Sequence, residues 1–553
     1  AVVLGDRQQF NLGKANKALK AMLTTMDEAK LGERLWEKDS TLWKPDDPAH
    51  QAEIKIRMGW LDVADLMATR VEEMKTFADE ARQAGFTHAL LCGMGGSSLA
   101  PEVLRTTFGV KRGYLKLDVL DSTDPAAVLN ADSDPARTLY IIASKSGSTT
   151  EPNSFFKFFW DQVKRIKRDR AGENFIAITD PGTAMEQRAR DHGFRKIFLN
   201  PPEIGGRYSA LSYFGLVPAA LMGIDVAKLI ARAQRMMAAS GAIIPAKNNP
   251  GLALGAAMGA LAQAKQDKLT FIVSKKLSTF GYWTEQLIAE STGKEGKGIV
   301  PVEGEALGKV TAYGKDRVFV YLRLDSQHDR TVKALLKAKH SVIQIDLQDA
   351  YDIGAEFMRW EIATAAASWV LGIDPFDQPN VQESKDNTVK YLKEHAATGR
   401  LPERGGALSP ADKDYAERVT KHLKTVKAGD YVALTAYVER TPARERLFHE
   451  LRTLIRDKHH VATTLGYGPR FLHSTGQLHK GGANNGVFMQ FLCEDIVDAP
   501  VHGESYTFSV LKAAQALGDF ESLATRQRRA VQVNLGENIE GGLRATIKAL
   551  KKK

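Results

Sequence analysis

Thr138-Leu139-Tyr140-Ile141-Ile142-Ala143-Ser144-Lys145-Ser146-Gly147-Ser148-Thr149-Thr150-Glu151-Pro152 reads as a buried strand, a hydroxyl-rich turn and the start of a helix. The apolar run Leu139 to Ala143 has the length of a strand covered on both faces. A turn of this kind gathers side-chain O–H groups and backbone N–H groups at a helix N-terminus, where a phosphate dianion is stabilised. No Gly-Lys-[ST] follows four spacer residues, so a nucleotide triphosphate is not implied. Taken alone, the same residues would also serve as a Ser/Thr-rich helix cap with no ligand.

A second turn of the same design lies upstream, in Ala89-Leu-Leu-Cys92-Gly93-Met-Gly95-Gly96-Ser97-Ser98-Leu-Ala-Pro. Its glycines let the backbone approach a ligand closely. Asp118 and Asp121 lie further on, but Ser98 stands where the third glycine or alanine of a dinucleotide fingerprint belongs, and that reading leaves Ser144 to Thr150 unexplained.

Outward from these turns, short apolar runs alternate with helical patterns. Strands are expected at Ala89 to Cys92, Leu117 to Leu120, Leu139 to Ala143, Phe175 to Ile178 and Lys196 to Leu199, with helices after Ser98, Thr150 and Thr183. Such alternation argues for a parallel sheet with helices on both faces. A second series follows the Gly/Ala-rich helix Gly251 to Ala264, with strands at Leu269 to Ser274, Val318 to Leu322 and Ser341 to Asp346. Pro245 and Asn248-Asn249-Pro250 punctuate the chain between the two. Ahead of both, the first eighty residues read as helices: Leu19, Met22, Leu23 and Met26 form an amphipathic stripe, and a second helix runs from Val63 to Ala84. Beyond Gly405-Gly406 a strand (Tyr431 to Tyr437), a helix (Arg444 to Asp457) and another strand (Gly486 to Cys493) are expected. The expected division is 1–85, 86–244, 245–404 and 405–553.

With 553 residues, 43% apolar and 26% charged, the composition is that of a globular protein of two or more domains. No run approaches the roughly 18–20 apolar residues of a membrane span. The opening AVVLGDRQQF lacks the parts of a signal peptide, which leads to a cytoplasmic expectation. Cys92 and Cys493 are expected to be small buried hydrophobes in a reducing compartment, neither disulfide-bonded nor metal-binding. The net charge of +10 is dispersed. Its densest runs, Lys164 to Arg170 and Lys551 to Lys553, lack the interleaved aromatics of a nucleic-acid surface, and a mild cationic excess suits small dianionic substrates.

Five motifs in order make the chain resemble the phosphoglucose isomerase family: Gly93-Met-Gly-Gly-Ser-Ser, Ser144-Lys-Ser-Gly-Ser-Thr-Thr-Glu, Gly205-Gly-Arg207-Tyr-Ser, Gln286-Leu-Ile-Ala-Glu290-Ser-Thr-Gly-Lys, and Phe376-Asp-Gln378-Pro-Asn-Val-Gln-Glu-Ser-Lys385. Trp43-Lys44, Met58-Gly-Trp60-Leu and Gly466-Tyr-Gly-Pro-Arg470 through Gly482 look closer still to the isomerase half of bacterial proteins that fuse transaldolase to phosphoglucose isomerase. The transaldolase portion itself is absent from this sequence. The resemblance implies an α/β fold of two tandem sugar-isomerase type, doubly wound parallel-sheet subdomains, with N-terminal helices and a C-terminal α/β segment. It further implies a sugar-phosphate substrate, no organic cofactor, no metal and a homodimer; a separate transaldolase is a conceivable partner.

Moving a carbonyl between C1 and C2 requires ring opening and a proton shuttle through a cis-enediol. The resemblance gives the shuttle to Glu290, which shares a helix face with Gln286 at i, i+4. Arg207, after Gly205-Gly206, is the fixed cation for the enediolate. Lys385 and Gln378 stand at the family's spacing for a ring-opening lysine and a substrate-contacting glutamine. The family's acid–base histidine sits in a Gly-Thr-Asn-Gly-Gln-His motif before the lysine; here only His328 and His340 lie in that interval, in other contexts. A related string, His473-Ser-Thr-Gly476-Gln477-Leu-His479, comes after the lysine. His479 is expected to serve because it follows the Gly-Gln pair, with His473 second. Gly96, Ser97, Ser144, Lys145, Ser146, Ser148, Thr149 and Gly206 complete the expected phosphate and substrate contacts. The alternatives are an isomerase of another phosphorylated or anionic sugar and a non-catalytic sugar-phosphate sensor. A sensor has no need of Glu290, Arg207 and Lys385 together. An aminosugar synthase would need a glutaminase domain, which the helical N-terminus does not offer.

Overall fold

A computed structural model describes residues 7–131, 134–402 and 406–551. The first six residues, Gly405, and Lys552 with Lys553 lie outside this description. Strand β1 (Gln8–Asn11) precedes the helical N-terminal stretch. The first parallel sheet contains β2 (His88–Cys92), β3 (Lys116–Leu120), β4 (Thr138–Ala143), β5 (Phe175–Thr179) and β6 (Lys196–Leu199). The second contains β7 (Lys268–Val273), β8 (Val300–Val302), β9 (Arg317–Arg323) and β10 (Ser341–Asp346), and the third β11 (Tyr431–Ala436), β12 (Ala462–Tyr467), β13 (Gly486–Leu492) and β14 (Arg529–Asn534). Their orders are β3-β2-β4-β5-β6, β1-β10-β9-β7-β8 and β12-β11-β13-β14. Apart from the antiparallel β1, every pairing is parallel. The structure is α/β with tandem doubly wound parallel sheets, as the alternating pattern requires.

Where the structure departs from the sequence expectations, the causes are local. The N-terminal stretch is not wholly helical, because Gln8–Asn11 adds to the second sheet with Gln8 opposite Ile345 and Asn11 opposite Val342. This capping strand covers an edge that would otherwise expose unpaired backbone groups. The helix expected from Val63 to Ala84 is two, Val63–Ala68 and Val71–Gln83. Cys92 is fully buried, and burial pushes its thiol up. Cys493 is not an interior strand residue: it follows β13, partly exposed, with Sγ 3.4 Å from Lys512 Nζ.

The Gly/Ala-rich helix Pro250–Gln263 crosses the long helix Ile353–Leu371 at close range. Gly251, Gly255 and Gly259 recur every four residues on the contact face. A Cβ would lie 2.5 Å from Ile362 Cγ2 at Gly251, 2.5 Å from Ala363 O at Gly255 and 2.6 Å from Val370 Cβ at Gly259. Hydrogen in place of Cβ is what allows the two backbones to meet. One core extends from Leu12 to Phe376 around this crossing.

The third sheet has its own core and docks on the helix Phe280–Thr292 and β8 through Ala289, Val300, Val302, Tyr431, Phe488 and Leu478. A buried ion group reinforces the contact. Arg317 donates to Glu305 at 2.8 Å, and Glu305 accepts from the backbone N–H of Thr463 on β12, also at 2.8 Å. No described helix is long and apolar enough to cross a membrane.

Candidate active site

In the first sheet the chain passes from β2 to β3 on one side and from β4 to β5 on the other. The order therefore reverses between the neighbours β2 and β4, and their carboxyl ends open a crevice of the kind that binds ligands. The Gly93–Ser98 turn leaves β2 there and the Ser144–Thr150 turn leaves β4. Between them lies a cleft of about 420 Å³, lined also by the Gly205–Arg207 turn, the helix Phe280–Thr292, the loop around Gln378, Lys385 and His473.

The hydroxyl-rich end of the cleft is built from Ser97, Lys145, Ser146 and Thr149, with Thr149 at the N-cap of helix Thr150–Lys167. Lys145 is held by an ion pair with Asp180 and donates to Pro202 O at 2.9 Å. Two expected contacts do not line the cleft. Ser144 is buried and braces the turn, its Oγ 2.9 Å from Thr149 Oγ1 and accepting from Gly147 N–H at 3.1 Å. Ser148 faces an adjoining hollow, with its Oγ 3.0 Å from Ser146 Oγ.

Gly96 and Gly206 meet backbone to backbone, so a Cβ at Gly96 would collide with Gly206 O. Gly96→Ala is therefore expected to cost about 1–3 kcal/mol of stability as an overpacked contact. Because the strain falls on the turn that carries Arg207, KM for a cleft ligand should rise as well. A variant with wild-type melting temperature and KM would contradict this.

Glu290 and Gln286 point into the cleft from one face of helix Phe280–Thr292. Gln286 Nε2 donates to Glu290 Oε2 at 3.0 Å and to His473 O at 2.8 Å, so one amide joins the carboxylate to the histidine turn. Glu290 Oε1 lies 3.6 Å from Arg207 NH1. Arg207 is 3% exposed and has almost no freedom. Its Nε donates to Ser291 Oγ at 2.8 Å, NH1 to Gln378 Oε1 at 3.0 Å, and NH2 to the carbonyls of Pro375 at 2.6 Å and Asp377 at 2.8 Å.

Lys294 went without a role in the sequence reading, although it closes the Glu290 motif. It is buried, and its ammonium donates to Asp374 O, to Asp377 O at 2.7 Å and to Asp377 Oδ1 at 2.5 Å. Burial and the neighbouring Arg207 charge push it down to about 8. It thus shares the Asp377 carbonyl with Arg207. Arg57 and Asp180, also unassigned from sequence, complete the lining; no motif marks either, and only the packing brings them there.

The structure separates the two candidate histidines. His479 lies on helix Gly476–Gly481, 4% exposed, with its ring centroid 5.0 Å from Phe488 and 5.9 Å from Phe471. Burial pushes its charged form well down. It does not reach the cleft, which corrects the expectation built on the Gly-Gln pair. His473 lines the cleft, and its Nε2 lies 3.0 Å from Glu151 Oε1. Burial alone would raise the Glu151 carboxyl, but the attraction and hydrogen bond of His473 outweigh it and hold Glu151 below its ordinary value. Gln515 Nε2 donates to the same oxygen at 2.8 Å, giving an oriented His–Glu pair.

Two clusters bring metal-ligand atoms together among the described residues: His50 with Asp374 and Asp377, and Asp124 with Cys493 and Asp495. In the first, Lys294 already pairs with Asp377; in the second, Lys512 pairs with both Asp124 and Asp495.

The paired parallel sheets thus place a hydroxyl-lined crevice opposite a carboxylate and an arginine. Residues 55–313 match the family described as phosphoglucose isomerase. A glucose-6-phosphate isomerase of Heliobacterium modesticaldum is 30% identical over 317 residues, covering 47% of this chain and 69% of that protein. One of Trichormus variabilis is 30% identical over 254 residues, covering 42% of this chain and 47% of that protein, so the chain spans about half of that relative. The crystal structure of a glucose-6-phosphate isomerase from Chlamydia trachomatis superposes with a TM-score of 0.55 at 16% identity, over 74% of this chain and 89% of that one. The chain belongs to the phosphoglucose isomerase family of enzymes.

Proposed function

We propose that the chain interconverts glucose 6-phosphate and fructose 6-phosphate. The observation that carries this reading is a carboxylate and a locked guanidinium 3.6 Å apart, in the same cleft as the hydroxyl-rich turn. Ser97, Lys145, Ser146 and Thr149 hold the phosphate and leave C1 and C2 at the Glu290 end. His473, oriented by Glu151, moves a proton between the ring oxygen and the C1 hydroxyl, with Lys385 beside it, and the ring opens. Glu290 takes the proton from C2 of the open aldose and returns it to C1. Arg207 stabilises the negative oxygen formed between these steps. Proton and electron pair both stay within the sugar, so the reaction balances without a redox partner.

A purified sample is expected to convert fructose 6-phosphate in an assay coupled to oxidation of glucose 6-phosphate. No turnover at millimolar substrate would favour the sensor. Arg207→Lys should lower kcat by about a hundredfold, since an ammonium cannot reproduce four hydrogen bonds in a planar fork and still face the developing oxyanion. A loss under threefold would remove Arg207 from the chemistry.

A further inference from the structure

Behind the cleft, the helix Phe280–Thr292 and the turn Arg470–His473 present their other faces to a second cavity of about 270 Å³. Gln286, Glu290 and His473 face the cleft, whereas Glu285, Arg470 and Ser474 face this cavity. It opens at the carboxyl ends of β11 and β12, where the loops of the third sheet gather, and the proposed reaction uses none of its charged groups.

The chemistry of the walls is unbalanced. Arg440 is satisfied by Glu445 at 2.7 Å and by Tyr282 Oη at 2.5 Å. Arg470 lies over the Tyr282 ring, 4.5 Å from its centroid, and makes no hydrogen bond among the described residues; its nearest carboxylate oxygen, on Asp121, is 3.7 Å away. Arg452 is 1% exposed; its NH2 donates to Glu303 O and Thr463 O, both at 2.7 Å, while NH1 has no partner among the described residues. Gly304, on the cavity wall, carries no side chain beside that buried nitrogen; a Cβ there would stand 3.5 Å from it. The Tyr467 hydroxyl also lacks a partner.

Opposite these donors stand Glu285 and Glu303, 9% and 8% exposed, with no side-chain hydrogen bond among the described residues. Burial and the charge of Glu303 push Glu285 up to about 8, and burial raises Glu303 as well. Burial thus favours a proton on this pair, while Arg470 has only the Asp121 carboxylate 3.7 Å away and Arg452 keeps one unused nitrogen. Unused guanidinium donors at one side and two buried carboxyls at the other match a phosphate bearing hydroxyl groups.

We propose that this cavity is a second ligand site, for a small hydroxylated organic phosphate, in which Arg470 and Arg452 take the phosphate and Glu285 with Glu303 take the hydroxyls. The site is distinct from the cleft, and its occupation does not depend on the isomerase reading.

The test is calorimetric titration of the whole chain with glycerol 3-phosphate. Wild type is expected to bind at two sites. Thr149→Val should weaken only the cleft site, and Arg470→Gln should weaken only the second, by at least about tenfold, the loss expected for one charge-assisted contact. Arg452→Met should act like Arg470→Gln; if that buried change prevents folding, Arg470→Gln decides alone. A single site abolished by Thr149→Val, or two sites both indifferent to Arg470→Gln, would overturn the proposal.

Discussion

Glutamine in place of Glu290 is expected to lower kcat for fructose 6-phosphate by about a thousandfold, or about 4 kcal/mol of transition-state stabilisation, while KM changes less than threefold. The substitution is nearly isosteric. Its amide can still accept from Gln286 Nε2, now 3.0 Å from Glu290 Oε2, so the helix face and the His473 turn stay in place. What is lost is the ability to take a proton from carbon and give it back. Arg207 keeps four other hydrogen bonds and does not depend on Glu290 for its position. A drop in kcat at constant KM is the signature of a group that acts in the transition state only. Activity within tenfold of wild type, in a variant of unchanged melting temperature, would remove Glu290 from the proton shuttle.

The second large effect separates His473 from His479. His473→Ala is expected to slow conversion of ring-closed substrate by about a hundredfold, and that of an open-chain analogue by much less, because the imidazole serves ring opening. It should also free Glu151, whose carboxyl loses the partner holding it low. His479→Phe should leave kcat within threefold, since that ring is neutral and already packed against Phe488 and Phe471. Should the losses be reversed between the two variants, the assignment made from the cleft geometry would fail.

The strands around the cleft were legible because burial on both faces demands unbroken apolar runs, as in Leu139 to Ala143. Strand β1 was not, since Gln8-Gln9-Phe10-Asn11 has too few residues and too little apolar content to show a period; only the open edge of β10 makes it a strand. Glu290, Arg207 and Gln378 were singled out by motif, and the structure brings Glu290 and Gln378 each within ion-pair or hydrogen-bonding range of Arg207. The hydroxyl-rich turn was read correctly as a turn but not residue by residue. In a tight loop some hydroxyls must satisfy the loop itself, and nothing in Ser144-Lys-Ser-Gly-Ser-Thr tells that Ser144 turns inward. His479 was ranked ahead of His473 for a related reason. Gly476-Gln477 was a reasonable anchor, yet Gln477 serves to tie the segment down, donating to Gly293 O at 2.9 Å. Which of two histidines six residues apart then faces the crevice depends on how β12 ends, not on their spacing.

The docking of the third sheet on helix Phe280–Thr292 has a consequence for how activity scales with concentration. His473 reaches the crevice from the same polypeptide that supplies Glu290 and Arg207. The contribution of His473 to turnover per mole should then hold constant on dilution. Joining the pieces covalently also replaces a concentration-dependent encounter by a fixed local one. Cutting the chain between the second and third sheets would convert that constancy into a dependence on how much of the severed segment is added back.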